Sequence, residues 1–300
     1  MRLLCRLMAQ TGTRFQTIRR RHKILGLFRL IRIPNLAMIF LGQVLVSVRL
    51  LESNWMDNPI QTKAMICLWF ATLASAAGGY IINDYYDVKI DVLNKPSRVV
   101  VGKLVTRRKT LVAHFLLFVS AVLLGLQAGN KIGLTVFFCS SWLWLYSNRL
   151  KRLPFIGNLS IAVLTAVALF LPSMVSAPSS GNLFLFCLFA FWTTLIREII
   201  KDMEDIRGDV RHGCKTLPIV LGIPKTRSIL YGIGISFLAT ILWASFSLPV
   251  LWRFSVLLLA VPLYFFYRKL SVADTQKAFA ILSRWSKWIM LVGTVSILFV

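Results

Sequence analysis

The sequence predicts an all-α, multi-pass membrane protein with about nine transmembrane helices, arranged as two four-helix halves plus one C-terminal helix. Hydrophobic residues make up 57% of the chain, and the mean hydropathy is +0.71. Charged residues make up only 15%, compared with about 25% in soluble domains. The long apolar runs lack strict alternation, which favours helices over a barrel, because each helix satisfies its own backbone groups in lipid.

The candidate membrane spans follow one another along the chain after residue 32. They are residues 33–51, 64–82, 111–128, 132–147, 155–176, 183–200, 228–246, 248–267 and 284–300. The third and fourth spans are separated by Gly129, Asn130 and Lys131, and the seventh and eighth by a short turn around Pro249. The predicted halves are residues 33–152 and 153–270, within a transmembrane domain of residues 33–300.

The basic residues predict the orientation of these spans. With the N-terminus in the cytoplasm, 31 of the 35 Lys and Arg residues lie in or beside cytoplasmic segments, as the positive-inside rule expects. The expected location is a bacterial inner (cell) membrane with a cytoplasmic N-terminus and active site, and an organelle membrane is the alternative. Residues 1–32 carry nine basic residues and no acid. We interpret them as a basic tail on anionic lipid, with a transit peptide as the other reading.

Two other classes of site are disfavoured by composition. The net charge is +24, but the basic residues lie between apolar runs of membrane-spanning length, so we expect no nucleic-acid partner. The five cysteines are widely separated and lack metal-ligand spacing, which indicates packing residues. The sequence indicates no particular protein partner.

The acidic residues are concentrated in two short stretches, at the cytoplasmic ends of the second and sixth spans. Eight of the 11 acids lie in or beside them: Asp84, Asp87, Asp91, Glu198, Asp202, Glu204, Asp205 and Asp209. Within each stretch three aspartates occur at offsets 0, 3 and 7, starting at Asp84 and at Asp202. These offsets share one face of a helix. Carboxylates on one face repel one another unless a cation lies among them, so the spacing indicates a binding site.

The first stretch also contains Asn83, whose amide oxygen is a further hard ligand. Mg²⁺ prefers oxygen ligands and commonly bridges carboxylates to substrate phosphates. Basic residues suited to phosphate follow both stretches and end the fourth span; they are Lys95, Arg98, Lys151, Arg211 and Lys215. The simpler alternative is that the acids only pair with neighbouring cations, namely Lys89, Lys95, Lys201 and Arg207. The matching spacing favours a shared metal–diphosphate site.

Three motifs give the chain a resemblance to a known family. NDYYDVKIDVLNKPSR, YSNRLK and KDMEDIRGDVRHGCKTLPIVLG resemble the NDxxDxxxD, YSxxLK and second aspartate-rich motifs of the UbiA superfamily of intramembrane prenyltransferases. Their order and helix positions match over nearly the whole chain after residue 30. One departure is Val99, where the family often has proline, so we expect a small change in loop geometry.

The resemblance implies an enzyme, a transferase of prenyl groups that is Mg²⁺-dependent and uses a polyprenyl diphosphate donor. By analogy the metal ligands are Asn83, Asp84, Asp87, Asp202 and Asp205. The catalytic set is Asp84, Asp87, Asp91, Asp202, Asp205 and Asp209. The residues expected to bind the substrate diphosphate or the acceptor are Arg98, Lys95, Lys151, Tyr146 and Asn35. His114 and His212 are interpreted as structural.

The acceptor is predicted less directly. Residues 30–35, Leu-Ile-Arg-Ile-Pro-Asn, are similar to the RxxN start of members that prenylate a glycerol-phosphate lipid, which favours lipid over quinone biosynthesis. An aromatic acceptor of the quinone or 4-hydroxybenzoate type is the alternative. A different class, an ion-coupled transporter, predicts acids near the bilayer midplane and broken helices there. The acids of this chain lie at span ends, which favours the transferase.

Overall fold

The fold was analysed in a computed structural model that describes residues 26–97, 99–179, 181–247 and 249–300, with only the backbone of residues 247 and 250–258. Residues 1–25 of the predicted tail and the candidate ligand Arg98 lie outside the described residues. Within the described ranges the chain is all-α, with isolated bridges joining Leu51 to Pro178 and Val101 to Val105. The predicted fold class is confirmed.

Nine helices of 15 residues or more are found within the described ranges. They are α1 (Ile33–Arg49), α2 (Pro59–Asn94), α3 (Arg107–Ala128), α4 (Asn130–Asn148), α5 (Ile156–Phe170), α6 (Asn182–Arg211), α7 (Leu217–Ser247), α8 (Val250–Ser271) and α9 (Gln276–Val295). A one-turn helix covers Asn54–Asp57, and 3₁₀ turns cover Leu150–Arg152, Leu171–Met174 and Ser296–Phe299.

Five of the described helical segments are long and apolar enough to cross a membrane. They are α2, α3, α5 with the turn that follows it, α6 and α7, while α1 is a shorter apolar helix. Large apolar side chains face outward on several of them, as expected for contact with lipid; examples are Phe115, Phe184 and Trp243. A multi-pass membrane protein is therefore supported, whereas nine spans in two halves remain a prediction.

The two helices that carry the acidic stretches extend well beyond their predicted spans. The span predicted at 64–82 lies inside α2, which continues to Asn94, and the span predicted at 183–200 lies inside α6, which continues to Arg211. Hydropathy marks only the lipid-embedded part of a helix, so it misses a polar extension that keeps the same backbone. Both acidic stretches consequently lie on helices, and their 0, 3 and 7 offsets share a face as predicted.

Caps and special residues explain where these helices begin and end. The Asn58 side chain accepts hydrogen bonds from the backbone N–H groups of Ile60 and Gln61 at the start of α2. Pro96 follows the end of α2 closely. The segment of α7 is interrupted at Gly222, whose φ of 78° is open to glycine but strained for other residues. The membrane-length part of α7 therefore begins after a break.

The described helices pack around a cavity. The α2, α3 and α4 helices contact one another, α6 contacts α5, α7 and α9, and α2 also contacts α6. The largest buried apolar cluster lies between α6, α7, α8 and α9 and includes Phe237, Phe266 and Phe279. The contact between α2 and α6 brings the two acidic stretches to the same region.

Candidate active site

The ends of α2 and α6 are joined by a network that involves both acidic stretches. Asn94 Nδ2 donates to the Asp205 carbonyl oxygen at 3.0 Å, and the Gly208 N–H donates to Asn94 Oδ1 at 2.8 Å. Lys95 Nζ lies 2.8 Å from Asp205 Oδ1 and 3.1 Å from Glu204 Oε1. Asn94 and Lys95, which follow the first acidic stretch, thus bind residues of the second stretch. The predicted proximity of the two stretches is observed.

The carboxylates of the two stretches are close enough to repel one another. Asp91 interacts electrostatically with Asp87 and Asp205, and Asp209 interacts with Asp205 and Asp87. The Asp91–Asp205 and Asp209–Asp87 interactions cross between α2 and α6, and the other two lie within one helix. A site with such mutual repulsion favours cationic ligands or cationic side chains.

Each half of the site receives a polar partner from another part of the chain. Arg32 Nη2 lies 2.8 Å from Asp84 Oδ1, and Lys151 Nζ contacts Asp87 Oδ1. Asn158 Nδ2 donates to Asp202 Oδ2 at 2.8 Å. The partners therefore come from the start of α1, the turn after α4 and α5, and not from the sequence neighbours Lys89 and Arg207, which are exposed.

Arg32 adopts an uncommon backbone conformation where it enters the site. Its φ of 53° is left-handed, which costs a non-glycine residue about 1–2 kcal/mol. The ion pair with Asp84 and a guanidinium stacked 5.0 Å above the Tyr80 ring centroid offset that cost. The RxxN sequence that predicted an acceptor type thus contributes its arginine to the first acidic stretch.

The electrostatic environment keeps Lys95 cationic. Burial lowers its pKa, but the negative charges of Asp205 and Glu204 raise it by more, so the net pKa lies above the ordinary value. Lys95 is therefore charged at neutral pH, as a phosphate-binding side chain must be.

The internal cavity has a volume of about 230 Å³ and lies beside this network. Its wall is largely apolar, with one polar group of residues that includes the predicted Asn35, Asn83 and Tyr146. The aspartates themselves, Lys95 and Lys151 are not part of the wall. The arrangement places the acidic stretches beside an adjoining chamber whose wall is largely apolar and also carries charged residues.

Sequence reasoning missed several polar residues of this cavity wall. The residues not predicted to belong to the site are Arg32, Arg197, Glu198, Lys201 and Lys287. Asn158, which donates a hydrogen bond to Asp202, was not predicted either. A usable signal was present, because charged residues inside an apolar span are costly and usually functional. Arg197 and Glu198 interrupt the sixth predicted span and Lys287 the ninth.

The donor chemistry of the acidic stretches fits Mg²⁺. Among the described residues, no three or more His, Cys, Asp or Glu side chains form a cage for a metal ion. Mg²⁺ does not require one, because it commonly binds through one or two carboxylates with phosphate and water. Asp205 Oδ1 and Oδ2 lie 2.8 and 2.9 Å from Lys95 Nζ, so a cationic side chain occupies this carboxylate. Carboxylate oxygens are hard donors and are chemically suited to Mg²⁺.

The two histidines have local roles. His114 Nδ1 bonds to the Gly78 carbonyl oxygen at 3.0 Å, and His212 Nδ1 to the Gly208 carbonyl oxygen at 2.9 Å. These contacts agree with the structural interpretation of both residues.

Comparison with known proteins identifies the family. The model of the UbiA prenyltransferase family matches residues 41–288. A digeranylgeranylglyceryl phosphate synthase from Methanosphaera stadtmanae is 36% identical over 160 residues, 53% of this chain and 57% of the relative. The synthase of that name from Thermococcus gammatolerans is 36% identical over 188 residues, 63% of this chain and 66% of the relative. The chain thus spans less than two thirds of the length of these relatives.

The fold comparison agrees with the sequence comparison. A solved UbiA homologue from Archaeoglobus fulgidus bound to GPP and Mg²⁺ superposes with a TM-score of 0.67 at 14% identity, covering 91% of this chain and 99% of the homologue. The related proteins named here are archaeal, so they give no support to the expected bacterial membrane. The resemblance drawn from the three motifs is confirmed: the chain belongs to the UbiA prenyltransferase family.

Proposed function

We propose that the protein is a membrane-embedded, Mg²⁺-dependent prenyltransferase that moves a polyprenyl group from its diphosphate to a glycerol-phosphate lipid of the geranylgeranylglycerol-phosphate type. The observation that carries the proposal is the meeting of two acidic stretches beside an apolar cavity, with Lys95 and Lys151 among their carboxylates. A diphosphate needs the charged part, and an isoprenoid chain needs the apolar part.

The reaction exchanges one bond to the allylic carbon for another. The bond from that carbon to the diphosphate oxygen breaks, the acceptor hydroxyl oxygen forms the new bond, and the hydroxyl proton leaves. Asn83, Asp84, Asp87, Asp202 and Asp205 are proposed to hold Mg²⁺, with Asp91 and Asp209 as ligands or supports. When bound, the metal would stabilise the negative charge that develops on the leaving diphosphate.

The chain's own cations and aromatic rings have complementary roles. Lys95 and Lys151 now contact carboxylates and are proposed to bind diphosphate oxygens when the donor enters, with Arg98 as a further partner. The ring of Tyr146 lines the cavity beside Asn83 and is proposed to face the allylic carbon, where positive charge develops in the reaction. Water must be kept from that carbon, and the largely apolar wall serves this purpose.

The names of the curated relatives support a glycerol-phosphate acceptor over an aromatic one. Family membership likewise supports a transferase over an ion-coupled transporter. We also propose that the N-terminus and the acidic site face the cytoplasm, on the charge asymmetry of the sequence.

The test of the proposed function is a transfer assay with purified protein. Labelled geranylgeranyl or farnesyl diphosphate is incubated with Mg²⁺ and either a single-chain glycerol ether phosphate or 4-hydroxybenzoate. We expect a labelled product with the lipid and stoichiometric release of diphosphate. Transfer to 4-hydroxybenzoate and not to the lipid would show that the proposed acceptor is wrong. The absence of transfer to any acceptor would reject the proposed function.

Removal of divalent metal is expected to abolish turnover. A chelator should stop product formation, and added Mg²⁺ should restore it, because the acidic stretches otherwise repel the diphosphate. The melting temperature in detergent, measured with and without chelator, separates this effect from unfolding. Unchanged turnover in excess chelator would contradict the metal assignment.

A further inference from the structure

A second group of cations lines the cavity, separate from those that contact the aspartates. The charged residues of the wall, among the described part of the chain, are Arg32, Arg197, Glu198, Lys201 and Lys287. Arg32 is paired with Asp84, outside the wall. We call Arg197, Lys201 and Lys287 the cavity cations. Lys95 and Lys151, which bind Asp205 and Asp87, do not line this space.

Two of the cavity cations are fixed by one buried carboxylate. Arg197 Nη1 lies 2.7 Å from Glu198 Oε1, and Lys201 Nζ lies 2.7 Å from Glu198 Oε2. The side chain of Glu198 is only 7% exposed. Arg197 and Lys201 are four residues apart on α6, so they lie on the same helix face. Glu198 therefore holds both cations in place at the cavity.

Arg197 keeps a donor available after this ion pair. Its Nε is buried and donates no hydrogen bond to any described residue. A buried donor without an acceptor is unfavourable, and a ligand that accepts the bond removes this penalty. Guanidinium groups suit phosphate, because their planar set of donors matches two oxygens at once.

Lys287 brings a further positive charge to the cavity from α9. Lys287 lies in the ninth predicted span, and a charge in a membrane-embedded segment is costly and usually serves a ligand or a path through the protein. Cations outnumber acids in this wall, where Glu198 is the one acid among the described lining residues. A phosphate monoester carries about −1.5 to −2 near neutral pH. A wall with more cations than acids suits such a group.

We propose that the cavity cations bind the phosphate monoester of the acceptor lipid. This rests on the proposed function and adds that the two substrates place their anionic groups at different sites. The diphosphate of the donor binds at the acidic stretches, and the single phosphate of the acceptor binds at the cavity wall. Apolar wall residues such as Met38, Leu164 and Met290 offer contacts to the hydrocarbon of the acceptor as well as to that of the donor, which makes a phosphorylated lipid a better ligand than free phosphate. The cavity cations then select phosphorylated acceptors over neutral ones.

The test is equilibrium binding without donor or metal, so it does not depend on turnover. Wild-type protein and Lys287→Met are titrated with a single-chain glycerol ether phosphate, with its dephosphorylated counterpart and with glycerol phosphate. We expect wild type to prefer the phosphorylated lipid. Lys287→Met should weaken that binding about tenfold, the loss of one charge-assisted bond, and leave the dephosphorylated lipid unaffected. Lys287→Arg should retain the preference.

Matched controls separate this effect from general loss of charge or structure. Lys131→Met removes an exposed lysine near the start of α4 and should leave all three affinities unchanged. If Lys287→Met does not fold, as judged by its melting temperature, Lys201→Gln is the second variant, with the same expected loss. Equal binding of both lipids by wild type would overturn the proposal. So would glycerol phosphate binding as tightly as the phosphorylated lipid.

A further arm distinguishes the two proposals. Binding of a non-hydrolysable prenyl diphosphate with Mg²⁺ should be unchanged in Lys287→Met; a loss confined to this ligand would assign the cavity cations to the donor and overturn the inference. The inference is also overturned if wild type transfers prenyl groups and both Lys287→Met and Lys201→Gln bind the phosphorylated lipid with wild-type affinity. Phosphate-dependent lipid binding without any transfer would instead support the site and reject the proposed reaction.

Discussion

Replacing either Asp87 or Asp205 by asparagine is expected to reduce turnover by at least about a thousandfold. Each change keeps the shape of the side chain and removes one negative charge from the proposed metal–diphosphate site. A charged group that acts mainly in the transition state contributes several kcal/mol, and about 1.4 kcal/mol corresponds to each tenfold change in rate. The measurement is prenyl transfer at saturating donor and Mg²⁺.

The matched control for these variants is Asp274→Asn. Asp274 also forms an ion pair, with Arg227 at 2.9 Å, but its side chain is 73% exposed, and exposed pairs contribute about 1 kcal/mol or less. We expect wild-type turnover for the control. Melting temperatures exclude misfolding, which matters because Asp87→Asn leaves Lys151 buried without its carboxylate. Near-normal turnover in Asp87→Asn or Asp205→Asn would reject the metal assignment.

Gly208→Ala is expected to reduce turnover at least about tenfold by separating the two acidic stretches. A Cβ at Gly208 would lie 2.7 Å from Asn94 Cγ, so Asn94 must move. Its side chain bonds to the Asp205 carbonyl and to the Gly208 N–H, and losing both bonds outweighs the roughly 1 kcal/mol that alanine gains over glycine within a helix. The measurements are turnover and melting temperature.

Two further variants make this prediction specific. Gly232→Ala on α7 meets no atom within 4 Å and should leave turnover unchanged. Asn94→Ala removes the side chain that collides, so adding Gly208→Ala to it should cause little further loss. Such non-additivity is the mark of residues that act through one contact. Independent, multiplying losses from Asn94→Ala and Gly208→Ala would contradict the proposed link.

Much of this site could be predicted from local sequence pattern. The 0, 3 and 7 spacing predicted that the aspartates share helix faces, and the span ends predicted that both stretches lie on one side of the membrane; the ends of α2 and α6 are in contact. What local pattern lacks is the identity of partners distant in sequence. Asp87 pairs with Lys151, 64 residues away, and Asp84 with Arg32, 52 residues away; only the packing of the helices determines these contacts.

The charged residues of the cavity wall could not be predicted from averaged hydropathy. Arg197 and Glu198 lie within a run that was interpreted as a membrane span, and Lys287 within another. An averaged apolar signal covers isolated charges, so hydropathy does not reveal a cavity wall to which α6 and α9 both contribute. The same averaging truncated α2 and α6 at the edge of their apolar segments, because the helical backbone continues through polar residues.

The central claim is that the two acidic stretches form one site for a single metal-bound diphosphate. Its most direct test is Mg²⁺-dependent binding of a non-hydrolysable prenyl diphosphate to wild type, Asp87→Asn, Asp205→Asn and the double variant. We predict one ligand per chain for wild type, and a loss in each single variant nearly as large as in the double variant. Binding that survives at one stretch when the other is altered would contradict the claim.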